Sequence, residues 1–199
     1  MLEKDMTSAL LDIMRRRRSI RKYTTRQISR ENLDTIIDAG LHAPNAGGGQ
    51  RSMLLALHNP VLVEQVGRLN ASCMRRDNLA GGHVSADQPS LIDDPTIKSG
   101  FYGAPTVVCV FGQRNFLYSV ADAFCIAENM VLMATALGIS SCVVARGEET
   151  FTHPDGQRLL ARWSIPDNMI ARCFVTLGYC DGSYPAPKPR RDGRATIVD

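Results

Sequence analysis

No two of the six cysteines in this 199-residue chain stand two residues apart, which excludes a zinc knuckle and a thioredoxin-like redox pair. The four histidines (His42, His58, His83, His153) are scattered, without metal-ligand spacing. No stretch approaches the roughly 20 apolar residues a membrane helix needs. The opening Met-Leu-Glu-Lys-Asp-Met lacks the charged-then-apolar pattern of a signal peptide. The chain therefore reads as cytoplasmic, with its free thiols packed as small hydrophobes. A formal net charge of +3 is too small for a general nucleic-acid binder, whose basic residues dominate the domain. Several catalytic signatures are also missing. There is no Gly-x-Ser-x-Gly elbow, no Gly-x-Gly-x-x-Gly after a strand, and no His-Glu-x-x-His helix. Gly47-Gly48-Gly49-Gln50-Arg51-Ser52 lacks the Lys-Ser/Thr ending of a Walker loop. The commonest hydrolases, nucleoside triphosphatases and Rossmann dehydrogenases are thereby removed.

What is present is charge gathered at the two ends of the chain. Arg15-Arg16-Arg17-Arg18-Ser19-Ile20-Arg21 stands near the start and Lys188-Pro189-Arg190-Arg191 near the end. Arginine binds phosphate through a planar fork of donors, and Ser19 adds a short hydroxyl donor. The glycines of residues 43–50 let backbone amides approach a flat ligand closely. A phosphorylated flat cofactor fits all three features, with the two basic clusters as halves of one anion site. A merely solvated charged face is the competing reading of the basic run.

The length suits one domain with a real core. Thr7 or Ser8 is positioned to cap a first helix bearing Leu10, Leu11, Ile13 and Met14. Ser29 is positioned to cap a second, with Leu33, Ile36, Ile37 and Leu41 on one face. Strands are predicted at 53–58, 106–111, 140–144 and 171–177, and helices at 61–70, 118–137 and 156–163. The helix over 118–137 carries Val120, Phe124, Ala127, Val131 and Ala134, broadened by Ile126, Met130, Met133 and Leu137. A helix apolar nearly all round is expected to be buried. Residues 73–103 break every pattern and read as a cap or lid with short helical pieces. Residues 183–199 read as a proline-rich arm that ends in a β-like Ala195-Thr196-Ile197-Val198 and wraps a partner subunit. Strands and helices mix without regular βαβ alternation, so the class is α+β, a mixed sheet packed around the buried central helix.

Five motifs in order resemble the FMN-dependent nitroreductase family. Arg17-Arg18-Ser19-Ile20-Arg21-Lys22-Tyr23 is similar to its N-terminal signature, and residues 43–50 to its Ala-Pro-Ser-x-x-Asn-x-Gln loop. Gly103-Ala104-Pro105-Thr106 resembles its Ala-Pro strand. Residues 127–138 resemble its long core helix, and Leu177-Gly178-Tyr179 with Lys188-Pro189-Arg190-Arg191 its closing motifs. The resemblance implies an interlocked homodimer with two FMN sites at the subunit interface. It implies hydride transfer from NADH or NADPH through flavin N5, by a ping-pong route, to a nitroaromatic, quinone or similar small acceptor. Carried over, Arg17, Ser19 and Arg190 hold the phosphate, with Arg18 and Lys188 beside it. Arg21 stands by the flavin pyrimidine, where a fixed cation favours the reduced ring. Pro44, Asn45, Ala46 and Gly48 match the loop that reaches the flavin of the partner subunit, with Gln50 on its far side. Arg146 and Gly147 fall near the segment whose amides face N5.

The chain departs from the family pattern at Gly48 (commonly Asn), at Arg51-Ser52 (usually Pro-Trp) and at Cys180 (usually Pro). Phe101 and Tyr102 fit either the flavin face or simple packing, and Asp122 reads as a surface or capping residue. Two other functions stay open. One keeps the fold but runs another flavin reaction, dehydrogenation or reductive dehalogenation. The other is a non-catalytic module whose basic ends bind nucleic acid or an acidic partner.

Overall fold

The computed structural model describes residues 2–75 and 85–198, with side chains from residue 5 onward. Its centre is a four-stranded antiparallel sheet in the order β1-β2-β4-β3, built from β1 (Ser52–Leu57), β2 (Thr106–Gln113), β3 (Ser140–Val144) and β4 (Met169–Gly178). The two central strands, β2 and β4, run Thr-Val-Val-Cys-Val-Phe-Gly-Gln and Met-Ile-Ala-Arg-Cys-Phe-Val-Thr-Leu-Gly, and nearly every residue of both is buried. Near-continuous apolar strands of this kind are covered on both faces. Alternation divides their side chains between two cores. Val107, Cys109, Phe111 and Phe174 point to one core, and Val108, Val110, Cys173 and Val175 to the other.

The second core is closed by α2 (Arg30–Leu41) and α4 (Ser119–Ala136). Ser29 caps α2 as expected, accepting from Asn32 N at 3.1 Å. The first core is closed by α3 (Pro60–Ser72), α5 (Gly147–Thr152), α6 (Pro154–Arg162) and Phe101, whose ring lies 4.8 Å from that of Phe174. Phe101 is therefore a packing residue. All six cysteines are free thiols. Burial pushes the Cys109, Cys142 and Cys173 thiols up, Cys173 to about 12, which keeps them protonated and inert.

Four expectations need correction. The first helix, α1 (Leu2–Arg16), begins before Thr7 and Ser8, so neither caps it. α4 is buried on one side only. Ala127, Met130, Val131 and Ala134 face the core, while Val120 and Phe124 are 50% and 42% exposed. Among the described residues α4 alone is long and apolar enough to cross a membrane. Its packing on the sheet and α2 accounts for the apolar inner face. Residues 85–103 form turns rather than short helices, and they are tied down by buried Gln88, Ser90, Leu91 and Ser99; residues 76–84 of the expected lid lie outside the described set. Ala195–Val198 forms no strand, and Ile197 and Val198 are almost fully exposed.

Candidate functional site

After α1 ends, the chain runs as a short extended segment along the sheet margin. Ile20 N donates to Ser141 O at 2.9 Å, and Thr24 N to Tyr179 O at 2.9 Å. Ser19 makes a parallel bridge to Ser141, and Tyr23 an antiparallel one to Cys180. Ile20 is fully buried and anchors this segment. The Tyr23 hydroxyl meets Thr176 Oγ1 at 2.8 Å inside the core. In an extended chain, anchoring Ile20 inward turns its neighbours Ser19 and Arg21 the other way.

They turn into a cavity of about 230 Å³. Arg17, Arg18, Ser19 and Arg21 line it from the N-terminal segment, and Lys188 and Arg190 from the C-terminal arm. Ser85, Gln88, Pro185 and Ala186 complete the wall. Five cations and no acid line it among the described residues, so the cavity concentrates positive potential over a small volume. Charge at the two ends of the sequence thus converges on one place.

The cations are not equivalent. Arg18 is largely committed to the backbone: its Nη1 donates to Arg15 O and Arg17 O, both at 2.7 Å, and its Nε to Pro185 O at 3.2 Å. It thereby satisfies carbonyls at the C-terminal end of α1 and fastens the arm. Among the described residues the Arg17 side chain makes only a long contact, 3.5 Å, with the Ser19 hydroxyl, which leaves most of its fork for a ligand. Arg21 is held through Gln88: its backbone N donates to Gln88 Oε1 at 2.6 Å and its Nη1 to Gln88 O at 3.4 Å. Beneath it lies buried Cys142, whose thiol is pushed up by burial against the pull of Arg21 and the Ser19 hydroxyl. Arg15 and Arg16 are exposed, and Arg16 pairs with Asp12 at 2.7 Å.

The remaining expected residues lie elsewhere in the chain. Pro44, Asn45, Ala46, Gly48 and Gln50 follow α2 around a single 3-10 turn, Ala46–Gly48, and none of them lines the cation cavity. The turn is fixed by one bond to α4 and two within its own loop. Asp122 Oδ1 accepts from Ala46 N at 3.0 Å, Asn45 Oδ1 from Gln50 N at 2.8 Å, and Arg51 Nη1 donates to Ala46 O at 3.1 Å. Asp122 is thus a buried loop anchor, not a surface residue. The Arg51 guanidinium also stacks over Phe116 at 4.7 Å, so it is folded onto its own loop. Gly47 and Gly48 both have φ near +60°, and two successive left-handed residues are readily reached only by glycine. Glycine at 48, where the family commonly has Asn, therefore has a backbone reason.

Arg146 and Gly147 open α5. Arg146 sits at φ 66° and lines a separate cavity of about 450 Å³ with Cys73, Met74, Arg75, Ile92 and Glu149. It is held by Asn70, which is fully buried on α3. Arg146 Nη2 donates to Asn70 Oδ1 at 2.9 Å, and Asn70 Nδ2 donates to Ala145 O, Arg146 O and Thr150 Oγ1 at 3.1, 3.4 and 2.9 Å. Sequence reasoning missed both Asn70 and Gln88. Asn70 was legible only as a polar residue on the apolar face of a helix, and Gln88 stands in a stretch with no periodicity. Tyr102 links the two regions. Burial, then Cys142, pushes its phenol up, and the charges of Arg21 and Arg146 oppose that rise.

A family model described as the nitroreductase family matches residues 14–179, a span that includes the N-terminal cations, the sheet and α4. The chain belongs to the nitroreductase family. A nitroreductase from Bacteroides fragilis solved with bound FMN is 28% identical, with a TM-score of 0.80, covering 96% of this chain and 98% of that one. A nitroreductase from Desulfitobacterium hafniense, also solved with bound FMN, is 22% identical with a TM-score of 0.78, and its likeness bears on the fold. An Archaeoglobus fulgidus protein described as "Putative NADH dehydrogenase/NAD(P)H nitroreductase" is 26% identical over 179 residues, 88% of this chain and 84% of its own length. The nitroreductase match ends at residue 179, so the arm bearing Lys188 and Arg190 lies beyond it. Those two residues join the site through three-dimensional convergence.

Proposed function

We propose that this nitroreductase-family oxidoreductase binds FMN in the five-cation cavity and carries hydride from NADH or NADPH to a nitroaromatic, quinone or similar small acceptor. The observation that carries this reading is the convergence of Arg17, Ser19, Arg21, Lys188 and Arg190 on one cavity. A phosphate monoester at neutral pH carries close to two negative charges, and an acid-free wall of arginine forks suits it. When bound, FMN supplies hydride chemistry at N5, alternating by a ping-pong route between nicotinamide and acceptor. The chain's own residues do the rest. Arg17, Ser19 and Arg190 grip the phosphate, Arg18 fixes the arm that delivers Lys188 and Arg190, and Arg21 places a fixed cation by the ring. The six free thiols suit a reducing cytoplasm. The absorbance spectrum tests this function. Protein reconstituted with FMN is expected to show flavin bands that bleach on adding NADH or NADPH. Protein that stays colourless after incubation with FMN overturns the reading.

The active unit in this reading is a homodimer. Val120 and Phe124 on α4 and Leu10, Leu11 and Met14 on α1 leave large apolar side chains on the surface of the single chain. α1 lies against α4, so these residues occupy neighbouring helices. Large apolar patches of this kind mark interaction surfaces. A second copy seated there also gives the Pro44–Gln50 turn a site to reach, since that turn does not line the five-cation cavity of its own chain. Phe124→Glu is expected to raise the dimer dissociation constant roughly a hundredfold or more, because it places a charge in an apolar interface. Light scattering across a concentration series reads the shift. A variant that stays dimeric at the wild-type concentration removes α4 from the interface.

A further inference from the structure

We infer that Arg146, with Arg75, selects an electron acceptor that carries an acid group, an aromatic ring bearing a carboxylate, in the separate cavity of about 450 Å³ that these two residues line. The inference rests on the oxidoreductase reading above and names the class of acceptor.

This cavity and the five-cation cavity share one stretch of chain. Ser85 and Gln88 line the five-cation cavity, and Ile92 lines the other. Tyr102 links them, with its phenol in electrostatic reach of both Arg21 and Arg146. At about 230 Å³ the five-cation cavity falls below the roughly 300–1,000 Å³ of a small-molecule pocket, which suits the phosphate end of a cofactor and leaves no room for an acceptor. The cavity of about 450 Å³ lies within that range. Cys73, Met74 and Ile92 give it an apolar wall for a ring. Arg75 and Arg146 set two cations against Glu149, the one acid that lines it among the described residues. Glu149 forms an ion pair with neither arginine among those residues, so it leaves both charges available.

Arg146 is seated as a fixed charge. Its φ of 66° lies in the left-handed region, which glycine enters freely and arginine does not. Asn70, fully buried, holds it there through bonds to Ala145 O, Arg146 O and Thr150 Oγ1. Arg146 Nε donates to Asn70 O at 3.4 Å and Nη2 to Asn70 Oδ1 at 2.9 Å. Gly100 keeps room for this seat, since a Cβ there would stand 2.0 Å from Asn70 Oδ1. Both partners of the guanidinium are neutral oxygens, so its charge is not cancelled and Nη1 is left for a ligand. A carboxylate accepts charge-assisted bonds from such donors, and a donor already held in place loses little freedom on binding. The reaction keeps its balance. The acceptor takes one hydride that originates from NADH or NADPH and one proton from solvent. A nitro group then leaves as nitroso and water, and a quinone as hydroquinone.

Paired acceptors test this: para-nitrophenylacetic acid, ionised at neutral pH, and its neutral amide. A methylene insulates the nitro-bearing ring from either group. With FMN and NADH or NADPH, wild type is expected to show a kcat/KM about tenfold higher for the acid, mainly through KM, the scale of one charge-assisted bond. Phenylacetate, which has no nitro group to reduce, is expected to bind about tenfold more tightly than phenylacetamide in a titration of the flavin absorbance. Arg146→Gln is expected to bring both ratios close to one. Arg75→Gln is expected to lower them and Glu149→Gln to raise them. The ratios cancel any change in flavin loading, and circular dichroism establishes that each variant folds. Arg162→Gln removes an exposed cation of α6 that does not line this cavity, and it is expected to leave the ratios unchanged. Wild-type ratios near one, or Arg146→Gln within twofold of wild type, overturn the inference. An equal fall with Arg162→Gln also overturns it, because net charge then sets the preference. Wild type that reduces neither acceptor defeats the oxidoreductase reading as well, whereas reduction of both without preference defeats this inference alone.

Discussion

Replacing Arg17 and Arg190 together by alanine is expected to weaken FMN binding by about three orders of magnitude. Each offers a guanidinium fork to a phosphate, and a hydrogen bond to a charged group contributes about 1.5–3 kcal/mol. Two such losses sum to roughly 3–6 kcal/mol, or about a hundredfold to ten-thousandfold in the dissociation constant. The fold has little stake in either side chain. Arg190 is exposed on an arm without secondary structure, and among the described residues the Arg17 side chain makes only the 3.5 Å contact with Ser19. Circular dichroism should therefore be unchanged while flavin fluorescence quenching is lost. Arg15→Ala with Arg16→Ala is the matched control, since it removes equal charge from exposed positions of α1. Among the described residues the one partner of these two side chains is Asp12, in a surface pair with Arg16 that contributes little. If both double variants weaken FMN equally, net charge alone attracts the ligand. If neither does, the five-cation cavity is not the phosphate site.

The division of the arginine run was legible because charge and motif agreed. Arg17, Ser19 and Arg21 fit one signature and line one cavity, whereas Arg15 and Arg16 are exposed. The central strands were legible for another reason: β2 and β4 are apolar on both faces, and few other structures use such runs. Where the reading failed, a partner or a tertiary contact decides the outcome. Ala195–Val198 has strand composition but no neighbouring strand, and β propensity without pairing yields coil. α5 was missed because Gly147-Glu148-Glu149-Thr150-Phe151-Thr152 is too short to show a period and is held by tertiary contacts. Phe124 carries the apolar pattern of a core residue yet stands at the surface of the single chain. An apolar pattern alone does not tell a core position from an exposed one. Gln88 is the extreme case, since its burial, its orientation and its two bonds to Arg21 all depend on residues 67 positions away.

Gly147→Ala is expected to be the most damaging single-methyl change at the site, at about 3 kcal/mol of stability. Resemblance placed Gly147 near flavin N5, where a glycine would keep the backbone open to a ligand. Packing supplies a separate reason. A Cβ at 147 would stand 2.9 Å from both Ala171 C and O and 3.0 Å from Arg172 C, all main-chain atoms of β4. No rotamer change relieves a collision with backbone, so either α5 must lift or β4 must bend. At Ala171 and Arg172 β4 pairs with β2 alone and bulges, so the strain is shared between that bulge, α5 and the Arg146 turn that Asn70 holds. For a chain of this length, about 3 kcal/mol lowers the melting temperature by roughly 6–12 °C. The contrast is Gly48→Ala, where a Cβ meets nothing within 4 Å and only the φ of +62° is strained, so a loss nearer 1 kcal/mol is expected. Calorimetry of both variants without FMN separates packing from cofactor contact. If Gly147→Ala melts with wild type yet binds FMN poorly, Gly147 is glycine for the cofactor's sake. A large fall in melting temperature without FMN makes it the hinge on which α5 rests against the sheet.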